Sequence, residues 1–428
     1  MKNLTWNILK KLGNLNFSIF ILLLIASISV FGTIIPQDQN LSYYQFNYPV
    51  HHSLFNLNWQ IIINYNLNHV YTTWWFILLL VIFFTSLIVC TFSRQLPGLK
   101  KARKWKFFQQ TQSLRRYKNY RILNVKLLSN ILYVLNAREY YVFHKKSSIY
   151  AYKGLMGRVA PVFVHISIIL TLIGSMVGLF GGFMVQEMVP NGEVFHIQNI
   201  IKSGFISRLP NLVGKVNYFE IDYNIDNSVK QFFSSISLLD NQGHPLINKV
   251  ISVNQPLKYK GITLYQTDWQ INSLRLRIST DMYIQKKLDK IKIGDTYIWV
   301  CDISVSPNMK IFLVVSSLKD KILIYDFNGR LLNALNLNED IQIGDSFLTV
   351  KEIMVSTGLQ IKTDPGLYIV YSGFLMLMVS ISVSYISYSQ IWLNGHGDSI
   401  ELGGVTNRAE LTFEEDIIAL QRQYSKYN

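Results

Sequence analysis

Four stretches of the chain carry no Asp, Glu, Lys or Arg: Asn16 to Ile35 (NFSIFILLLIASISVFGTII), Val70 to Phe92, Val159 to Met184 and Leu367 to Leu393. A bilayer-spanning helix needs roughly 20 apolar residues, so the pattern predicts four transmembrane helices. Between the third and fourth, over residues 185–366, the apolar runs become short: FFSSISLL, ITLYQTDW, LRLRIST, YIWVCDI, IFLVVSS, KILIYDF and SFLTVKEI. Turn sequences such as Asp240-Asn241-Gln242-Gly243 and Asp326-Phe327-Asn328-Gly329 divide them. Short β-branched and aromatic runs between such turns read as strands. The expected fold is an integral membrane protein with four transmembrane α-helices and a large β-rich, sandwich-like soluble domain.

The remaining segments are a basic N-terminus (1–15), a loop over 36–69, a second loop over 93–158 and a tail over 394–428. In the second loop, EYYVFH and SIYAYK flank Lys145-Lys146-Ser147 as the arms of a hairpin would. The first apolar run is longer than a signal-peptide core and ends in Ile-Pro-Gln-Asp, so it is expected to be a retained span.

Charge gives the spans a direction. The formal charge is +15, and residues 94–158 hold 16 of the 41 Lys and Arg but only one of the 26 acids, Glu139. The rest of the chain has 25 of each sign. Cytoplasmic loops concentrate Lys and Arg, which places 93–158 on the cytoplasmic or stromal side. Parity of four spans puts both termini there too. Residues 36–69 and the β-rich domain then face the other side. Lipid headgroups and topology suffice to explain the basic stretch, so no nucleic-acid partner is expected.

Charged residues make up 16% of the chain, below the roughly 25% of soluble domains. Cys90 and Cys301 lie far apart, with no C-x-x-C and no Cys/His cluster, so neither a dithiol redox site nor a zinc site is written locally. Only eight alanines occur, while Asn, Ile, Lys, Tyr and Phe abound. That bias suits an AT-rich genome such as a plastid's.

One histidine lies inside a span. His165 stands seven positions beyond Arg158, about 10 Å along a helix axis. At 100° per residue, Ile169, Leu172, Met176 and Phe183 share its face, while Gly174, Gly178 and Gly182 line the opposite one. The glycines suit close approach of another helix, and the histidine face is expected to meet something else. An intramembrane imidazole suits a haem ligand, a hydrogen bond to a neighbouring helix, or a proton or ion path.

Several stretches, in order, resemble the ResB/CcsB family of System II cytochrome c biogenesis proteins of plastids and bacteria. They are LGNLNFSIFILLL…GTIIPQ (12–37), LNHVYTTWWF…CTFSRQLPGL (67–99), GRVAPVFVHISIILTLIGSMVG (157–178), FMVQEMVPNGEVFHIQN (183–199), VNQPLKYKGITLYQTDW (253–269) and GGVTNR (403–408). Residues 270–360 carry the least of the resemblance.

The resemblance implies a subunit that works with a CcsA-type haem-handling membrane protein. Together they carry haem across the membrane and support its covalent attachment to apocytochrome c. It implies His165 as the axial haem-iron ligand and cofactor-binding residue, with no catalytic residue on this chain. The implied enzyme role is a non-catalytic or co-catalytic subunit of a haem lyase complex. The other reading is a scaffold that stabilises CcsA and docks apocytochrome without binding haem. A transporter is a third class, disfavoured because four spans without an internal repeat suit alternating access badly. His51, His52, His69 and His196 would lie near the outer face, as haem contacts or as ordinary loop histidines. His144, His244 and His396 have nothing beside them to raise them above surface residues. The expected location is the plastid thylakoid membrane, with the large domain in the lumen and the chain encoded in the plastid; a cyanobacterial membrane is the alternative.

Overall fold

The computed structural model describes residues 2–49, 58–102, 105, 107–108, 114–124, 128–225, 228–240, 242–278, 282–293, 296–306, 309–343, 346–396 and 399–425. His51 and His52 lie outside these residues, as does the His396 side chain. The chain divides into two compact units, one of residues 1–176 and 366–428, the other of 177–365.

The predicted fold class is borne out. Four helices are long and apolar enough to cross a membrane: Leu15–Ile34, Trp74–Lys100 (α-helical over Trp74–Cys90), Leu155–Gly181 and Leu367–Ser384. In the first unit, Ile21 of the first span packs with Phe83 and Leu87 of the second and with Ile168, Ile169 and Leu172 of the third. Polar contacts pin the first two spans. Ser18 Oγ lies 2.7 Å from Ser86 Oγ, and Ser86 donates to the Leu12 carbonyl at 2.6 Å. Small hydroxyls of this kind join helices where the hydrophobic effect gives no preference for protein over lipid.

The third and fourth spans approach backbone to backbone. A Cβ on Gly174 would meet Val370 N at 2.8 Å, and one on Gly373 would meet Thr171 N at 3.0 Å. Of the glycine ridge expected from the sequence, Gly174 faces a helix, whereas a Cβ on Gly178 would meet Asp364 Oδ1 and one on Gly182 the Thr363 carbonyl.

The fourth span is shorter than its apolar run. The helix ends at Ser384, not Leu393, and Ser389–His396 is a strand. Ile391, Trp392 and Leu393 are all buried, so consecutive positions pack on both faces of a central strand. Such a strand has no alternation to separate it from a helix. The third span is likewise Leu155–Gly181 rather than 159–184, because the next strand starts at Phe183. In the second, Leu67–Thr72 forms a separate 3₁₀ turn before Trp74.

That strand belongs to a small sheet that the sequence did not announce. Its antiparallel order is Arg121–Asn124, Ser399–Thr406, Ser389–His396, Ser148–Lys153, Tyr141–Lys145. The predicted hairpin is its last pair, with Lys145 opposite Ser148 and Lys146 at φ +54° in the tight turn. One face is covered by helices Leu128–Ala137 and Glu410–Ser425 through Ile131, Val134, Leu135, Phe413, Ile417 and Leu420. The other carries aromatic side chains around Tyr150 and Trp392. The described residues of 114–153 thus fold with the tail and do not form a simple loop. Acids of the tail meet its bases: Arg138 Nη1 donates to Asp416 Oδ1 at 2.8 Å, the Tyr140 hydroxyl to Asp416 Oδ2 at 3.0 Å, and Lys118 Nζ to Glu410 Oε2 at 2.9 Å.

The second unit is the β-rich domain. Strands Ile262–Ile278 and Ser346–Thr363 pair along nearly their whole length and form the centre of a seven-stranded sheet. Seventeen residues of strand reach about 55 Å, and three register shifts let the long pair bend. One half of this sheet packs against a four-stranded sheet through Phe183, Val185, Val216, Ile236, Ile251, Leu264 and Ile361. The other half packs against a five-stranded sheet through Leu274, Leu276, Trp299, Ile311, Leu313 and Leu348. Two sandwiches therefore share one long sheet. Chain entry and exit are neighbours, since Phe183 at the start is paired with Thr363 at the end.

Candidate functional site

His165 lies on the third span, half-buried, with Ile169 and Leu172 on the same face one and two turns on. Beyond His165, what this face was expected to meet is the chain's own helices. Ile168, Ile169 and Leu172 pack on the first and second spans, so the wall beyond His165 is filled by this chain.

The partner of the imidazole is on the second span. His165 Nδ1 lies 3.0 Å from Thr91 Oγ1, and the Thr91 hydroxyl proton goes to the Leu87 carbonyl at 2.7 Å. A hydroxyl has one proton and two lone pairs, so Thr91 must accept from His165. Nδ1 therefore carries the proton and Nε2 carries the lone pair. Metal-bound histidines have this arrangement, with the second nitrogen held as a donor and the ligating one fixed in direction.

Thr91 opens a single π-turn, Thr91–Gln95, where the second span leaves regular α-helix. Such turns insert one residue into a helix and concentrate at functional sites. This one brings Thr91 to His165 and carries Arg94 three residues on. Nothing in the sequence marked Thr91, because a threonine in an apolar run is unremarkable and a π-turn leaves no compositional trace.

Toward the basic end of the same face lies a polar pocket of about 250 Å³. Its walls are Arg94 and Gln95 from the π-turn, Arg158 and Pro161 from the third span, and Asn407 and Arg408 from the strand-to-helix turn of the tail. Arg158 Nη2 reaches to 3.5 Å from where a Cβ on Gly98 would stand. Asn407 and Arg408, matched to the family motif but given no role from sequence, brace the end of the fourth span. Asn407 Oδ1 accepts from the Tyr388 amide at 2.7 Å, and Arg408 Nη1 donates to the Ser384 carbonyl at 2.8 Å. Terminal helix carbonyls need such donors.

The family follows from comparison with known proteins. The ResB-like family matches residues 15–316 and 316–418.

The chain belongs to the ResB-like family.

It is 50% identical over 430 residues to "Cytochrome c biogenesis protein Ccs1" of Gracilaria tenuistipitata var. liui, covering 100% of this chain and 99% of that one. The Ccs1 of Porphyra purpurea is 45% identical, over 99% and 98% of the two chains. "Cytochrome c biogenesis protein CcsB" of Trichormus variabilis is 41% identical, over 97% and 92%. The resemblance read from the sequence is borne out over the full length.

In this ResB-like chain the other described histidines each have surroundings of their own. His69 Nδ1 lies 2.5 Å from Asp38 Oδ1 in the 36–69 segment, and is itself half exposed. His196 and His144 are exposed on strands, and His244 sits beside Asp240 in an exposed turn. Among the described residues no group of three or more His, Cys, Asp or Glu is placed to hold a metal ion. Cys90 and Cys301 are free and buried, and burial pushes the Cys301 thiol up to about 12. A thiol so protonated is a poor nucleophile.

Proposed function

We propose that this chain is the haem-handling subunit of a membrane cytochrome c synthetase. In this reading it works beside a CcsA-type membrane protein, carries haem across the membrane with it, and supports haem attachment to apocytochrome c. The observation that carries the reading is the fixed tautomer of His165, with Nδ1–H given to Thr91 and the Nε2 lone pair available to iron. The biogenesis names of the relatives point the same way. His165 supplies an axial ligand, Thr91 holds its direction, and the apolar helices around it limit water. Thioether formation draws on the vinyl groups of the haem and the thiols of the apocytochrome, so no nucleophile is required of this chain.

The test is a haem titration of the full chain purified with its partner, followed by absorption. Thr91→Val removes the acceptor for Nδ1–H and leaves the volume nearly unchanged. It is expected to weaken haem binding about 10-fold, the lower figure for losing a group that orients a metal ligand. Unchanged affinity would remove the role given to Thr91.

A scaffold that braces the partner without touching haem is the second reading. It is favoured by the packing of Ile168, Ile169 and Leu172 against the first two spans. Cytochrome maturation by a complex in which His165→Ala leaves haem content intact would establish it.

For sidedness we infer a thylakoid or cyanobacterial membrane with the 93–158 segment and the tail on the stromal or cytoplasmic side, and the β-rich domain in the lumen or periplasm. The basic charge of residues 94–158 supports the direction. The small sheet supports the parity, since strands from 121–153 and 389–406 can pair only on one side of a membrane. Cysteines placed at Lys146 and Lys321, in a Cys90→Ala/Cys301→Ala background, are expected to label from opposite sides. Labelling from one side only would contradict the arrangement.

A further inference from the structure

We infer that the pocket walled by Arg94, Arg158 and Arg408 receives the paired carboxylates of a porphyrin whose iron is held by His165. The inference rests on the haem-ligand reading above and adds the second half of the site.

Three guanidinium groups face one cavity at the basic end of the spans, and no carboxylate of the described residues lines it. Among the described residues, none of the three is ion-paired. All three are exposed; Arg408 donates to the Ser384 carbonyl, and among the described residues Arg94 and Arg158 make no such bond. Like charges brought together destabilise unless an anion joins them. The third span also points its N-terminal end into this region, from Leu155 onward, and helix N-termini favour negative charge. An adjoining cavity of about 330 Å³ shares Gly98, Arg158 and Asn407 and is lined by Tyr117, Tyr388 and Trp392. Burial, with the Tyr150 hydroxyl beside it, holds the Tyr388 phenol well above its ordinary value, while Arg158 acts the other way. Tyr388 stays neutral and does not offset the arginines.

Position selects the anion. Arg158 stands seven residues before His165, which returns it to within about 20° of the same helix face and about 10 Å along the axis. That separation is of the order from a haem iron to its propionate carboxylates. On the far side of His165 the face is filled by Ile21, Phe83 and Leu87; on the near side lies the arginine pocket. The porphyrin edge that carries two carboxylates therefore has one electrostatically suitable direction. Guanidinium groups pair with carboxylates through two parallel hydrogen bonds. The π-turn couples the two halves, since Thr91 orients the iron ligand and Arg94 meets the carboxylate edge.

The experiment titrates the purified complex of the full chain and its partner with haem and with haem dimethyl ester, which keeps the iron but lacks both charges. The wild type is expected to prefer haem by about 10-fold or more, the scale of one or two charged hydrogen bonds. The double variant Arg94→Gln/Arg158→Gln is expected to lose that preference, and Arg94→Lys/Arg158→Lys to keep most of it. Equal binding of haem and ester by the wild type overturns the inference, as does a glutamine variant that still discriminates. An anionic lipid recovered from the pocket and undisplaced by haem also overturns it. Should the double variant fail to accumulate, the ester comparison on the wild type decides alone. His165→Ala in the same titration separates the two ideas. If His165→Ala loses haem while the wild type binds haem and ester equally, only the carboxylate site fails; if His165→Ala binds haem like the wild type, the ligand reading fails.

Discussion

Substituting His165 by Ala is expected to strip haem from the purified complex and to reduce cytochrome c maturation by orders of magnitude, while the complex still assembles. The separation of those outcomes follows from the structure. His165 is half-buried and hydrogen-bonded to Thr91, so losing that bond costs the fold about 1 kcal/mol. The contacts between the first three spans pass instead through Ile21, Phe83, Leu87, Ile169 and Leu172, none of which the substitution touches. A haem that loses its axial nitrogen loses the bond that fixes its position. Haem content by absorption, set beside recovery of the partner, checks both halves. Failure of the complex to assemble would make His165 a packing residue.

The other large effect is expected between the third and fourth spans. Gly373→Leu places a side chain where Thr171 N lies 3.0 Å and Ser167 O lies 3.2 Å from the new Cβ, and backbone does not yield as a flexible side chain would. Gly174→Leu meets Val370 N from the opposite direction at 2.8 Å. Overpacking of this kind costs about 1–3 kcal/mol when neighbours can move, and more is expected where a backbone nitrogen stands beside the nearest methyl, Thr171 Cγ2 or Val370 Cγ2. Each variant should lower the thermal unfolding midpoint of the detergent-solubilised protein and its yield. The fourth span also carries Ser384, whose carbonyl Arg408 caps, so its displacement should weaken the arginine pocket as well. Wild-type midpoints for both variants would show that the spans are not held by this contact.

The sequence made the spans legible because membrane insertion demands uninterrupted apolar length, and the β-rich domain legible because its strands are short and turn-bounded. What it concealed has physical causes. Ser389–His396 reads as membrane because a strand buried on both faces has no polar positions to betray it. The small sheet pairs strands more than 200 residues apart, and neither segment alternates strongly enough to name its partner. The acidic tail had no stated use until Asp416 and Glu410 were found against Arg138 and Lys118.

The functional site divides in the same way. His165 announced itself, being an ionisable residue in a span. Thr91, 74 residues earlier, did not, and it is Thr91 that gives the imidazole a fixed tautomer. Arg158 marked the edge of a span and Arg408 the end of a family motif, but only the fold turns them and Arg94 into one pocket. The wall expected in front of His165 proved to be filled on one side by the first two spans, which leaves the basic side as the open direction.

The central claim is that Nε2 of His165 binds haem iron, and an exchangeable ligand tests it most directly. In His165→Gly the imidazole side chain is removed and a gap is left where a free imidazole can enter. Haem absorption of the purified complex should be lost in this variant and return, saturably, as imidazole is added, with cytochrome c maturation returning in parallel. Absorption and maturation that stay at the wild-type level without imidazole would contradict the claim.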